Sequence, residues 1–107
     1  MTHAIRFERT GGPDVLSFQE IALKAPGHGE VRVRHTAVGV NFIDIYHRTG
    51  LYKLPLPSGL GLEAAGVVES GGAGVTRFRE GDRVAYASGP IGAYSEAHNI
   101  VANRAVK

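Results

Sequence analysis

The sequence contains no cysteine in its 107 residues. This absence excludes disulfide bonds, thiolate ligands for a metal ion and a thiol nucleophile. No apolar run approaches the roughly 20 residues that a membrane-spanning helix requires, and the N-terminal segment, with Arg6, Glu8 and Arg9, lacks the apolar centre of a signal peptide. The sequence therefore predicts a cytoplasmic protein with no membrane partner.

An excess of charge of one sign is also absent. The formal net charge is +2, and the basic residues are interleaved with acidic ones, which argues against a nucleic-acid partner. Five histidines are present, but no pair has the spacing of metal ligands, since His35 falls on a strand, His47 in a helix and His98 near a strand end. No Ser, His and Asp arrangement indicates a nucleophilic triad.

Apolar residues make up 43% of the chain and charged residues 21%, which is typical of one globular domain over residues 1–107. Short apolar or alternating runs separated by glycine and proline predict six to eight short strands. The main runs cover residues 4–7, 15–21, 31–40, 61–68, 83–86 and 92–101. Such a pattern favours a mainly β fold, a partly open β-barrel with one short helix.

The helix is predicted in residues 38–52, where the sequence changes from an apolar strand to polar groups. Asn41 suits the helix N-cap, Asp44 the third helical position and Gly50 a left-handed C-cap, so the helix should cover residues 42–49. We expect the preceding strand to run from the surface into the interior. The resulting strand-to-helix elbow should present Asn41, Asp44, Tyr46 and Tyr52 near the mouth of the barrel.

A glycine cluster at residues 71–74 follows a predicted strand, as a dinucleotide-binding turn would. The third glycine of that motif is missing, however, and the next element is another strand instead of a helix that could bind phosphate at its N-terminus. This cluster is therefore predicted to be an ordinary turn.

Four motifs resemble the catalytic domain of medium-chain dehydrogenases, and most closely the zinc-independent, zeta-crystallin-like quinone oxidoreductase branch. They are GGPDVL (11–16), VGVNFIDIYHRTGLY (38–52), LPSGLGLEAAGVV (56–68) and GDRVAY (81–86). The resemblance covers nearly the whole chain. It implies a GroES-like fold and an N-terminal catalytic domain without the NADPH-binding Rossmann domain.

The resemblance also implies the site. Zinc-dependent members have cysteine where Asn41 stands and histidine where Leu62 stands, so no zinc is expected. Tyr46, Asn41 and Tyr52 are the predicted catalytic residues, and Asn41, Asp44 and Tyr46 should border NADP. Tyr52 and Leu62 should line the substrate pocket. For Glu63 a structural and an active-site role both stay open.

The implied activity of the full-length protein is transfer of reducing equivalents from NADPH to a quinone or another conjugated carbonyl compound. Most contacts to NADP would belong to the Rossmann domain, so residues 1–107 alone should be inactive, and the full-length protein should be a homodimer. Two alternatives are a zinc-free enal or enoyl-thioester reductase domain and a non-catalytic GroES-like binding module. Whether Tyr46 donates a proton is left open.

Overall fold

Alternating apolar and polar side chains build two β-sheets and leave room for one α-helix in the computed structural model, which describes residues 2–107. Helix α1 covers Phe42–Thr49. Short 3-10 turns cover Pro13–Val15 and Ala102–Arg104. The strands are β1 (Thr2–Phe7), β2 (Ser17–Ile21), β3 (Glu30–Val38), β4 (Ser58–Gly59), β5 (Ala64–Gly71), β6 (Arg83–Tyr86), β7 (Ala97–Val101) and β8 (Ala105–Val106). The predicted mainly β fold with one short helix is confirmed.

Both sheets are antiparallel. Strands β2, β1 and β4 form one, and strands β7, β3, β5, β6 and β8 form the other, in that order. Strand β1 is linked to the segment just before β7 by a bridge between Ala4 and Ser95, by a 2.8 Å hydrogen bond from the Ile5 N–H to the Tyr94 carbonyl and by a 2.9 Å hydrogen bond from the Glu96 N–H to the His3 carbonyl. The sheets therefore curl into the partly open barrel that the strand pattern predicts.

The main core lies inside the five-stranded sheet. Val31 and Val33 of β3 are fully buried, as are Val68 of β5 and Ile100 of β7. Burial of each such side chain contributes about 1.5–3 kcal/mol to the free energy of unfolding. A second, smaller cluster joins β1 to the segments around it through Phe7, Val15 and Leu60.

Close pairing of β3 with β5 depends on Gly66. An added Cβ at this position would lie 2.0 Å from the carbonyl oxygen of Arg34, a distance that no real side chain tolerates. The register between the two strands also shifts between His35 and Ala37. Glycine at residue 66 thus lets the irregular end of β3 remain paired.

The expected direction of β3 is wrong. The strand runs outward, because Val31 and Val33 are buried whereas Val38 is 37% exposed and Val40, beyond the strand end, is 78% exposed. An apolar run predicts burial only where other elements cover its side chains, and within residues 2–107 Val38 is covered only in part and Val40 hardly at all.

Three further predicted strands begin later than expected. Pro13 fixes a 3-10 turn over Pro13–Val15, so β2 starts at Ser17 instead of residue 15. Strands β5 and β7 start at Ala64 and Ala97, because Gly61 and Gly92, where the predicted runs begin, have φ angles of +96° and +127° that a strand does not allow. None of the helices that the structure describes is long and apolar enough to cross a membrane.

Candidate active site

Helix α1 forms as its capping residues predict. Asn41 occupies the N-cap with extended backbone angles, and its N–H donates a 3.0 Å hydrogen bond to the Oδ2 atom of Asp44. At the other end, Gly50 adopts the left-handed conformation at φ +91°, and its N–H donates to the carbonyl of Tyr46. The predicted bounds of the helix and both caps are confirmed.

Asp44 does not lie at the mouth of the barrel, and that expectation is wrong. The residue is only 2% exposed, on the inner face of α1. Its Oδ2 atom accepts a second hydrogen bond, 2.7 Å long, from the hydroxyl of Tyr94. A carboxylate at the third helical position turns inward here because it serves the cap and Tyr94 together. Direct contact of Asp44 with a cofactor is therefore not favoured by its position.

Tyr46 and Tyr52, two residues of the predicted elbow, pack against each other. Their ring centroids lie 5.5 Å apart at an interplanar angle of 75°, and the N–H of Tyr52 donates to the carbonyl of Tyr46. The two side chains are 37% and 51% exposed. Phe42, Ile45 and Leu51 are also exposed beside them, and we call these five residues the elbow surface. Edge-to-face packing fixes the rings while leaving aromatic area open.

Leu62 and Glu63 belong to a different segment. The carbonyl of Leu62 accepts a hydrogen bond from the N–H of Gly89, and the Leu62 side chain is half-buried. Among the described residues, the hydrogen bonds of Leu62 connect it with Gly89 and do not connect it with Tyr52. A pocket lined jointly by Tyr52 and Leu62 stays a prediction.

Glu63 folds over Gly39, just before the elbow. The Gly39 N–H donates to the Glu63 carbonyl, and a Cβ on Gly39 would lie 2.0 Å from the Glu63 carboxylate. Glu63 also lines a cleft of about 600 Å³ together with Tyr86 and Arg104. Its carboxylate therefore faces a cleft as well as the backbone of residue 39.

The outer end of β3 separates two clefts. One, of about 440 Å³, has largely apolar walls that include Phe18, Val40 and Tyr94. The other is the 600 Å³ cleft that contains Glu63. Ala37 and Val38 line both. The two clefts therefore meet at the end of β3 that leads into the elbow.

Sequence reasoning missed Tyr94 and the burial of His47. Burial, and secondarily the hydrogen bond to Asp44, raises the pKa of the Tyr94 hydroxyl, so it remains a donor. His47 is 8% exposed, and its ring centroid lies 6.3 Å from that of Tyr52. No local signal could find the Tyr94 contact, because the two partners are 50 residues apart in the chain.

A second polar pair joins β3 to β6. The Nδ1 atom of His35 lies 2.8 Å from the Ser95 carbonyl, and its Nε2 atom lies 2.9 Å from the Tyr86 hydroxyl. A carbonyl can only accept, so Nδ1 carries the hydrogen and Nε2 accepts from Tyr86. Burial lowers the pKa of His35, while the bond to Ser95 opposes that shift.

The glycine turn at residues 71–74 lacks the space that a pyrophosphate needs. An added Cβ on Gly72 would meet the Gly27 carbonyl at 1.8 Å, and one on Gly74 would meet the His28 ring at 2.7 Å. The glycine turn thus packs against neighbouring residues and offers no open cradle for phosphate. The elbow surface, by contrast, offers exposed aromatic area against which a flat ring can pack. Within residues 2–107 no three His, Asp or Glu side chains converge on a common point that could hold a metal ion.

Comparison with known proteins gives a consistent result. The model of the alcohol dehydrogenase GroES-like domain family matches residues 27–106. A quinone oxidoreductase of Pseudomonas aeruginosa is 55% identical over an aligned length of 107 positions, an alignment that covers 99% of this chain and 33% of that protein. The chain spans about a third of the length of the curated relatives that it matches.

Two solved structures share the fold. A quinone oxidoreductase of Pseudomonas syringae has a TM-score of 0.97 and 55% identity, over 100% of this chain and 33% of the other. The Escherichia coli quinone oxidoreductase, solved in complex with NADPH, has a TM-score of 0.95 and 50% identity, over 99% of this chain and 32% of the other. The GroES-like fold is confirmed.

Proposed function

The chain belongs to the alcohol dehydrogenase GroES-like domain family, and from this membership we propose that it is the N-terminal catalytic domain of an NADPH-dependent quinone oxidoreductase. The observation that carries the proposal is the exposed Tyr46–Tyr52 pair at the elbow of a chain that aligns throughout with quinone oxidoreductases. The substrate would be a quinone or a similar conjugated carbonyl compound.

We assign Tyr46 to orientation of the acceptor. No residue within 2–107 hydrogen-bonds the Tyr46 hydroxyl, which leaves it able to donate to a substrate carbonyl oxygen. Tyr52 holds the Tyr46 ring from the side and adds apolar area for a flat substrate. We assign the carboxamide of Asn41, at the start of the helix, to the border of the nicotinamide. Asp44 is buried under the helix, and we assign it to the support of these side chains from beneath.

When bound, NADPH supplies the hydride that the acceptor takes up. The part of this chain is to hold the acceptor in a fixed orientation and to shield the reacting carbon from water. The reduced acceptor also gains a proton, and we assign that proton to water, with Tyr46 stabilising the oxygen by a hydrogen bond. The pyrophosphate and adenosine contacts are assigned to a Rossmann domain outside residues 1–107, because the glycine turn does not fit them.

We also propose that the protein functions without zinc. An amide at residue 41 and an alkyl side chain at residue 62 are poor ligands for Zn²⁺, and the chain has no cysteine to replace them. Elemental analysis of protein purified without a metal-affinity tag tests this. We expect less than a tenth of an equivalent of zinc, on the order of background, and stoichiometric zinc would contradict the proposal.

The remaining parts of the proposal concern the full-length protein. We propose a cytoplasmic location for the full-length protein, and we propose a homodimer on the basis of the family resemblance. Analytical ultracentrifugation of the full-length protein checks the dimer. A monomer at micromolar concentration would contradict that part without affecting the proposed activity.

The activity is tested by NADPH oxidation in the purified full-length protein, with a quinone, a 2-enal and an enoyl thioester as alternative acceptors. We expect the highest kcat/KM with the quinone. A higher kcat/KM with the enal or the thioester would favour the alternative reductase. Oxidation with none of the three would favour a binding module without catalytic activity.

A further inference from the structure

Two buried polar atoms beneath helix α1 have no hydrogen-bond partner. They are the Oδ1 atom of Asp44 and the Nδ1 atom of His47, and both residues are more than nine-tenths buried. A buried polar atom without a partner is costly, and most such atoms in proteins are satisfied by protein groups or by an internal water. These two atoms therefore mark a place where a small hydrogen-bonding molecule is needed.

The two residues are placed to share one partner. Asp44 and His47 are three positions apart on α1, so their side chains project from the same face of the helix. They do not bond to each other directly, because neither atom has a partner among residues 2–107. The other oxygen of Asp44 is already occupied by the Asn41 N–H and the Tyr94 hydroxyl. A bridging molecule must therefore donate to Asp44 Oδ1 and also bond to His47 Nδ1.

We propose that one internal water bridges Asp44 Oδ1 and His47 Nδ1. The water donates one hydrogen to the carboxylate, and its oxygen accepts a hydrogen from His47 Nδ1, since donors oriented toward the negative charge are favoured. A continuous chain of hydrogen bonds then runs from Tyr94 through Asp44 and the water to His47. The ring of His47 packs against Tyr52, so this chain ends beneath the Tyr46–Tyr52 pair. Asp44 is thus a positioning residue for the elbow surface.

A crystal structure of the full-length protein in which ordered waters are resolved gives the first test. We expect one water within hydrogen-bonding distance of both atoms. A direct hydrogen bond between the two side chains, or an empty space between them, would overturn the proposal. This test does not depend on the proposed enzymatic activity.

The second test uses the tautomer of His47, observed by ¹⁵N NMR of histidine-labelled protein. In the wild type, His47 should carry its hydrogen on Nδ1. Asp44→Asn keeps the shape of the side chain but places an N–H donor where Oδ1 was, so the water accepts there and has both of its hydrogens free to donate, one of them to His47 Nδ1. The carboxylate then no longer holds the water with its oxygen toward His47, and we expect Asp44→Asn to shift the tautomer population of His47 from Nδ1–H toward Nε2–H.

His35 serves as the control in the same spectra. Its tautomer is fixed by the Ser95 carbonyl and should stay Nδ1–H in both proteins. A purely structural role for Asp44 would leave the tautomer of His47 unchanged, and that result would overturn the proposal. A wild-type His47 with its hydrogen on Nε2 would also overturn it.

Discussion

The hydroxyl of Tyr94 donates a 2.7 Å hydrogen bond to the Oδ2 atom of Asp44, and this bond ties helix α1 to the segment before β7. The same oxygen accepts from the N–H of Asn41 at the helix start. One buried carboxylate therefore caps the helix and anchors it to a distant part of the barrel. Tyr46 of the elbow surface and Asp44 belong to the same helix, on opposite faces. A contact that anchors the helix through Asp44 therefore also sets the position of Tyr46.

Replacement of Tyr94 by phenylalanine removes that bond and keeps the ring. Hydrogen bonds to charged groups contribute about 1.5–3 kcal/mol, so we expect Tyr94→Phe to lower the free energy of unfolding by about that amount. Urea denaturation measures the change. Tyr52→Phe is the control, because Tyr52 is half exposed and should lose less than about 0.5 kcal/mol. An equal decrease in the free energy of unfolding in the two variants would show that the hydrogen bond to Asp44 stabilises the protein no more than an exposed tyrosine hydroxyl does.

Stability should depend on pH through His35. Burial lowers the pKa of this side chain below 6.5, so the unfolded chain binds the proton more tightly than the folded one. The free energy of unfolding is therefore largest above pH 6.5 and falls as the pH drops from 6.5 toward the folded-state pKa. For one proton the slope is at most about 1.4 kcal/mol per pH unit.

The variant His35→Gln should make this slope shallower and leave the pH dependence above pH 7.5 as it is in the wild type. Denaturation across a series of pH values measures both. His98, whose pKa burial also lowers, should account for part of the remaining acid sensitivity. Identical slopes below pH 6.5 in wild type and His35→Gln would contradict the assignment.

Gly66 should not tolerate a side chain. A methyl group there would collide with the Arg34 carbonyl, so we expect Gly66→Ala to cost about 3 kcal/mol or more, or to prevent folding. Gly71→Ala, at the other end of the same strand, is the matched control, since its Cβ would meet Val75 at an ordinary 3.6 Å. That variant should stay within about 1 kcal/mol of the wild type. Thermal denaturation of the two proteins distinguishes them.

The helix could be predicted from sequence because its signals are local. Asn41, Asp44 and Gly50 each act within four residues of their own position, and all three occupy the predicted helical positions. Glycine and proline punctuation predicted the number of strands for the same reason. The packing of the Tyr52 ring against the Tyr46 ring was not predicted, although both residues belong to the predicted elbow.

Other features depend on contacts between distant residues. Asp44 is buried where it accepts a hydrogen bond from the distant residue Tyr94. The end of β3 is exposed because other segments cover Val38 only in part and leave most of Val40 open. Neither relationship leaves a periodic pattern in the sequence. The position of Asp44 in the first turn of the helix predicted its role in the cap, whereas its assignment beside NADP came from the family resemblance.

The central claim is that the elbow surface contacts the acceptor during NADPH-dependent quinone reduction. The most direct measurement is kcat/KM for quinone reduction by the full-length protein and its Tyr46→Phe and Asn41→Ala variants. If Tyr46 orients the acceptor, Tyr46→Phe should lose about 0.5–1.5 kcal/mol of transition-state stabilisation, or roughly three- to tenfold. An obligatory proton donor would lose about 10²–10⁴-fold instead.

Asn41→Ala should lose more than Tyr46→Phe, because it removes the cap, worth about 1 kcal/mol, together with the carboxamide contact. Tyr86→Phe, which removes only the hydroxyl bonded to His35, should leave kcat/KM unchanged. The account predicts a loss for both elbow variants with the Tyr86 variant unaffected. Wild-type kcat/KM in both Tyr46→Phe and Asn41→Ala would contradict it.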